Sequence, residues 1–228
     1  MFAKYRTTSE NENVKLMYKS HIIKMIINGT IINNPINYYT FPLPGEHLIY
    51  VKFSSSISFM DLFFKITHVT YIEFLPKANE LNINYMNDCF CGYINLEYAD
   101  LSNLNLKNNR CFMNFFKDDK QLKEVKFPEE SFSNIYWYYR MFYGCESMTS
   151  IDMSNIHNIN GQYFYEMFYG CTNLKSINLG GFNKRYYGYN SYDLFINVPK
   201  NSEITIHNNF YQSIEEQLNN FPNKKIIN

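Results

Sequence analysis

The sequence predicts an α/β repeat protein: a solenoid of parallel stacked short strands and short helices, capped by a small N-terminal β-sheet and a C-terminal helix. Three observations predict it. First, Met141-Phe142-Tyr143-Gly144-Cys145, followed by Met148, Ile151 and Met153, returns as Met167-Phe168-Tyr169-Gly170-Cys171, followed by Leu174, Ile177 and Leu179, an offset of 26 residues at every position. Second, the same period run backwards finds Phe116 with Leu122, Val125 and Phe127, then Phe90 with Leu96, Ala99 and Leu101. After a one-residue slip it finds Phe63 with Val69, Ile72 and Phe74. Third, β-type alternation fills the chain before the repeats and an amphipathic segment follows them. A fixed period in this range marks units that bury their apolar faces only against their neighbours.

Residues 1–57 read as a β-rich cap or attachment domain. Residues 1–12 are polar and read as poorly ordered or edge-like. Strand patterns follow at Val14–Met17, Ile22–Ile27, Tyr38–Phe41 and His47–Phe53, with a turn at Asn28-Gly29. An open solenoid end exposes apolar surface and a strand edge, so a capping element is required there.

Residues 58–193 carry the repeats. Before each anchor aromatic, apolar residues lie at minus four, minus one and zero: Phe59/Leu62/Phe63, Met86/Cys89/Phe90, Phe112/Phe115/Phe116, Tyr138/Met141/Phe142 and Phe164/Met167/Phe168. That spacing is one face of a helical turn or two. Two residues past the anchor comes Gly92, Gly144 or Gly170, or Asp118 in the third unit, where a left-handed residue would end the turn. Ile151-Asp152-Met153 and Ile177-Asn178-Leu179 then alternate like a short strand. Asn82, Asn108, Asn134 and Asn160 recur eight residues before the anchors, a candidate ladder of side-chain caps. Residues 194–228 read as a degenerate last rung, with Leu194-Phe195 near the next anchor position, and a helix carrying Tyr211, Ile214, Leu218 and Phe221 on one face.

Units reading Met-Phe-x-Gly-Cys-x-x-Leu-x-x-Ile-x-Leu resemble the BspA-like leucine-rich repeat family. Met141–Met153 and Met167–Leu179 match closely, whereas Phe116-Lys117-Asp118-Asp119 has neither the Gly nor the Cys. The resemblance implies a leucine-rich-repeat-like solenoid engaged in surface attachment or protein binding. It carries no catalytic residues, and it implies buried thiols at Cys145 and Cys171. The family occurs in bacterial surface proteins, protist surface proteins and gut bacteriophages.

Composition excludes some partners. With 21 basic and 21 acidic residues the formal net charge is zero, which lacks the clustered basic footprint of a nucleic-acid binder. No run approaches the length of a membrane span. The N-terminal residues show no apolar segment of a secretory signal, so the expected location is a virion or a cell surface reached by another route, with the chain cytoplasmic before assembly or release.

Nothing in the pattern points to chemistry. His21, His47, His68, His157 and His207 share no repeat position, and the pairs Asp118-Asp119, Glu129-Glu130 and Glu215-Glu216 read as solvated charge. Cys89-x-Cys91 with Cys111 lacks the spacing of a zinc site. No cofactor and no metal are expected.

Binding is the better expectation. The outward residues of successive strands, Tyr71/Glu73, Tyr98/Asp100, Glu124/Lys126, Ser150/Asp152 and Ser176/Asn178, form a mildly acidic strip with two tyrosines. A second candidate contact is aromatic: Tyr136-Trp137-Tyr138-Tyr139, and a loop with Tyr186, Tyr187 and Tyr189 outside the regular repeat. Trp137 and Tyr138, with 26-residue counterparts Tyr163 and Phe164, read as rung core. The expected function is non-enzymatic: a rigid repeat surface for protein or glycan attachment, suited to decorating a bacteriophage head or tail. A homo-oligomer or attachment to a larger assembly fits the same reading. A bacterial adhesin is the alternative within that class, and a glycan-active hydrolase using Glu73 or Asp100 the alternative outside it.

Overall fold

A computed structural model describes residues 1–17, 22–54, 66–76, 83–129, 134–157, 161–184 and 191–228. The chain forms a β-solenoid of about four turns with parallel stacked strands and little helix. The rung strands are β7 (Val69–Glu73), β8 (Tyr98–Asp100), β9 (Glu124–Lys126), β10 (Ser150–Asp152), β11 (Ser176–Leu179) and β12 (Glu203–His207). They are preceded by β1 (Phe2–Thr7), β2 (Glu12–Lys15), β3 (Ile22–Ile27), β4 (Thr30–Ile32), β5 (Tyr38–Phe41) and β6 (Gly45–Phe53), and followed by α1 (Asn208–Leu218) and β13 (Lys224–Ile227).

The anchor aromatics form one interior column. Phe90, Phe116, Phe142, Phe168 and Phe195 stack ring on ring at 5.4, 5.8, 5.7 and 5.9 Å, each pair within 14° of parallel, and all are buried. The first unit's Phe59, Leu62 and Phe63 lie outside the described residues. On the strand side, Ile72, Ala99, Ile151 and Ile177 point inward while their neighbours point out, as the period of two requires.

The short helix expected in each rung is absent among the described residues. Asp88, Asn114, Arg140, Glu166 and Asp193, two residues before each anchor, have φ between 52 and 57°. A left-handed residue there breaks a helix in its middle. The turn becomes a ribbon in which alternate N–H groups serve different partners. Those of Cys89, Cys91 and Tyr93 bond back three residues, whereas those of Asp88, Phe90 and Gly92 reach across to the carbonyls of Met113, Phe115 and Lys117 on the next rung at 2.9, 3.0 and 2.8 Å. The same triplet repeats at Asn114/Phe116/Asp118, Arg140/Phe142/Gly144 and Glu166/Phe168/Gly170. The apolar spacing of i, i+3, i+4 was real, but bonding between rungs replaced bonding along a helix. The left-handed residues expected two positions after the anchor are found, with φ 78, 65, 72 and 77° at Gly92, Asp118, Gly144 and Gly170.

Side chains reinforce the stacking. The thiols of Cys145 and Cys171 are free and buried, donating to the carbonyls of Phe116 and Phe142 at 3.1 Å. Asn134 donates to Lys107 O at 2.8 Å, linking rungs rather than capping a helix. Asn82 and Asn160 lie outside the described residues.

The N-terminal strands continue the solenoid sheet. The order β4-β3-β6-β1-β7-β8-β9 makes one seven-stranded sheet, with β1 antiparallel to both β6 and β7. The polar reading of residues 1–12 is therefore corrected: β1 is a central strand, and Ala3, Tyr5 and Thr7 are buried, the Tyr5 hydroxyl donating to Leu16 O at 2.6 Å. At the other end, β10-β11-β12-β13 form a separate parallel sheet. Helix α1 packs Phe210, Ile214 and Leu218 inward, with His207 as its N-cap. Phe221 is buried beyond the helix end, and Tyr211 is only partly covered.

Candidate binding face

Strand pairing places the outward residues at defined spacing. In the parallel register Tyr71 faces Tyr98 and Glu124 in turn, and Glu73 faces Asp100 and Lys126. The Tyr71 and Tyr98 rings stack at 4.8 Å and 14°. Their hydroxyls donate to Glu73 Oε2 at 3.1 Å and Asp100 Oδ2 at 3.3 Å. Burial first, and then the Glu73 carboxylate, push the Tyr71 hydroxyl up to about 12. Burial also raises that of Tyr98, against the opposing pull of Lys126. Lys126 lies over the Tyr98 ring at 5.4 Å and 3.9 Å from Glu124.

The N-terminal cap extends this face. Phe2 packs on Tyr71 at 5.8 Å and on Tyr50 at 4.9 Å, so a row of Tyr50, Phe2, Tyr71 and Tyr98 crosses four neighbouring strands. Lys4 lies 5.6 Å over Tyr71 and 3.3 Å from Glu46. Sequence reasoning missed Phe2 and Tyr50 because nothing local shows that β1 inserts between β6 and the first rung.

Asp152 sits apart from this row. Pairing stops at β9 and resumes at β10, leaving a groove of about 460 Å³ lined by both strands. Val125 and Phe127 are partly exposed there, although their counterparts Ala99, Leu101, Ile151 and Met153 are buried. Ile151 and Ile156 form the opposite wall, and Glu124, Glu129, Asp152 and Lys126 form the rim. A polar pocket of about 360 Å³ lies further along the N-terminal side, where Glu12 accepts from Thr8 N–H at 2.7 Å and meets His68 Nε2 at 2.8 Å.

The opposite, turn side carries aromatic ladders, of which the sequence reading singled out Tyr139, within Tyr136–Tyr139, but not Tyr143, Tyr165, Tyr169 or Tyr192. Tyr139 packs on Tyr165 at 4.1 Å with the rings tilted by 33°, Tyr165 stacks with Tyr192 at 5.0 Å, and Tyr143 stacks with Tyr169 at 4.8 Å. Their signal was available as tyrosines 26 residues apart at Tyr139/Tyr165 and Tyr143/Tyr169, with Tyr192 one residue beyond the period. Tyr138 is buried as expected, but Trp137 is 39 % exposed and stacked on Tyr163 at 6.2 Å. Tyr186, Tyr187 and Tyr189 lie outside the described residues. Among the described residues no cluster of three His, Cys, Asp or Glu could hold a metal, and no helix is long and apolar enough to cross a membrane. Set against known protein families, curated proteins and solved structures, the chain has no match.

Proposed function

We propose that the chain is a non-enzymatic interaction module, a leucine-rich-repeat-like solenoid of the BspA-like kind, that holds a protein partner on its strand face. The observation that carries this reading is the row Tyr50–Phe2–Tyr71–Tyr98, set on one continuous sheet with Glu73, Asp100, Glu124 and Lys126 beside it. A rigid aromatic row with a charged margin has the composition of a protein interface. A sugar would need free ring faces to stack on. Here the faces of Tyr71 and Tyr98 are taken by neighbouring rings and by Lys4 and Lys126, so these two present edges and hydroxyls. Protein is therefore favoured over glycan. The setting, a bacteriophage head or tail surface or a bacterial cell surface, is supported by the family resemblance of Met141–Leu179.

The reading is tested by probing a displayed peptide library and a glycan array with the full chain and two variants. Glu73→Lys/Asp100→Lys reverses charge on the strand face, and Tyr192→Ser alters the turn side. Peptide hits lost only in the strand-face variant are expected. Glycan hits, or peptide hits indifferent to that variant, would refute it.

A further inference from the structure

We infer that the groove between β9 and β10 is the seat for a lysine or arginine side chain presented by the protein partner, an assignment that rests on the strand-face reading above.

The groove exists because the two walls of the solenoid behave differently. On the turn side the third and fourth rungs are fully bonded, with Phe116 N–H reaching Met141 O at 2.9 Å and Asp118 N–H reaching Tyr143 O at 2.7 Å. On the strand side β9 and β10 do not pair. The opening is a wedge closed at its back. Ser147 N–H still bonds Lys120 O at 3.1 Å just before β10, so the rungs are not far enough apart to admit another strand, which needs about 4.8 Å on each side. What enters must be a side chain.

The walls specify which kind. Val125 and Phe127 belong to interior columns that are buried in every other described rung, and only here does solvent reach them. They offer apolar surface to a long aliphatic stem. The rim carries the carboxylates of Glu124, Glu129 and Asp152 against one ammonium, Lys126, which already lies beside Glu124 and over Tyr98. A leucine would leave that negative rim unanswered, and an acidic side chain would be repelled. A stem of methylenes ending in a cation satisfies floor and rim together. The groove also opens onto the same outward face as Tyr98, so one extended segment could lie on the aromatic row and drop a basic side chain into it.

The test is NMR of the methyl and tyrosine-ring signals of the full chain, titrated with an acetylated and amidated peptide of alternating threonine and lysine. Two controls replace lysine by norleucine, which keeps the stem, or by glutamate. The lysine peptide is expected to shift the Ile151 and Val125 methyls saturably. The norleucine peptide should bind several-fold more weakly and the glutamate peptide not at all. In Glu129→Gln/Asp152→Asn, which changes only exposed rim groups, affinity should fall about tenfold. Equal binding by the norleucine peptide, undiminished binding by the variant, or no groove shift at about 10 mM peptide would overturn the assignment. So would contacts from the groove methyls to another ring of the same chain. Shifts confined to the Tyr71 and Tyr98 rings would overturn the groove while leaving the strand-face reading intact, whereas that reading stands or falls on the Glu73→Lys/Asp100→Lys variant.

Discussion

The carboxyl of Asp119 and the thiol of Cys145 occupy the same place on successive rungs, three residues past the anchors Phe116 and Phe142. Cys145 Sγ–H donates to Phe116 O on the preceding rung at 3.1 Å. Asp119 is as deeply buried, yet its Oδ1 accepts from Tyr93 N–H at 2.7 Å and its Oδ2 has no hydrogen-bond partner. Burial holds its pKa well above the ordinary carboxylate range, with the Tyr93 N–H opposing.

A raised pKa means that the folded state binds the proton more tightly than the unfolded chain. The stability this proton supplies is complete below the unfolded value of about 3.9 and is lost as pH rises toward the folded value. Asp119→Cys, which restores the pattern of the neighbouring rungs, is expected to raise Tm at neutral pH by about 2–4 °C for each kcal/mol recovered. It should also flatten the decline above pH 5. Calorimetry of both proteins across pH checks this, and parallel curves would contradict it.

Glu12 works in the opposite sense. The N–H groups of Thr8 and Ser9, then His68, hold its pKa down to about 2. Its contribution is present above the unfolded carboxylate value and is lost as pH falls through the folded one. Glu12→Gln should therefore lose stability at pH 7 and differ little from the parent near pH 2. Denaturant midpoints at the two pH values decide it.

Phe142→Ala opens a hole in the middle of the ring column, stacked at 5.8 and 5.7 Å on either side, and should cost about 3–5 kcal/mol. Trp137→Ala removes a partly exposed ring stacked on Tyr163 and should cost about 0.5–1.5 kcal/mol from lost stacking. Urea denaturation separates the two.

Two glycines make a sharper contrast. A Cβ on Gly144 would lie 2.9 Å from Asp118 Oδ1, the movable end of a side chain, and its φ of 72° adds strain of about 1–2 kcal/mol. A Cβ on Gly181 would lie 2.5 Å from the carbonyl oxygens of Met153 and Ile156, which cannot step aside. Gly181→Ala should be the more damaging, at or beyond the upper end of the roughly 1–3 kcal/mol typical of overpacking. The order of the two melting temperatures is the check.

The interior was legible because packing repeats. Phe90, Phe116, Phe142 and Phe168 could be placed in one column from spacing alone, and the strands at Ile151 and Ile177 followed from alternation. The ribbon was not legible. Arg140 and Glu166 are poor left-handed residues by type, and only the stacked neighbour, whose carbonyls receive the N–H groups of Phe142 and Phe168, explains why the backbone turns there. The outward strip was half legible. Tyr71, Glu73, Tyr98 and Asp100 gather as their register requires, and Glu124 and Lys126 follow them. Asp152 is separated from them by an opening that no local pattern of residues 124–152 announces. Phe2 and Tyr50 joined the row through pairings between distant segments, which a period of 26 residues cannot reveal.

The alternating N–H groups on the turn side give each rung a fastening independent of its strand. Where Glu124–Lys126 and Ser150–Asp152 part company, the chain keeps its axis because that other seam stays laced. The strand edge and the turn edge are thus held by separate sets of hydrogen bonds along the same coil. An opening in the first set leaves the second intact, so the stack tolerates an interruption between two of its strands.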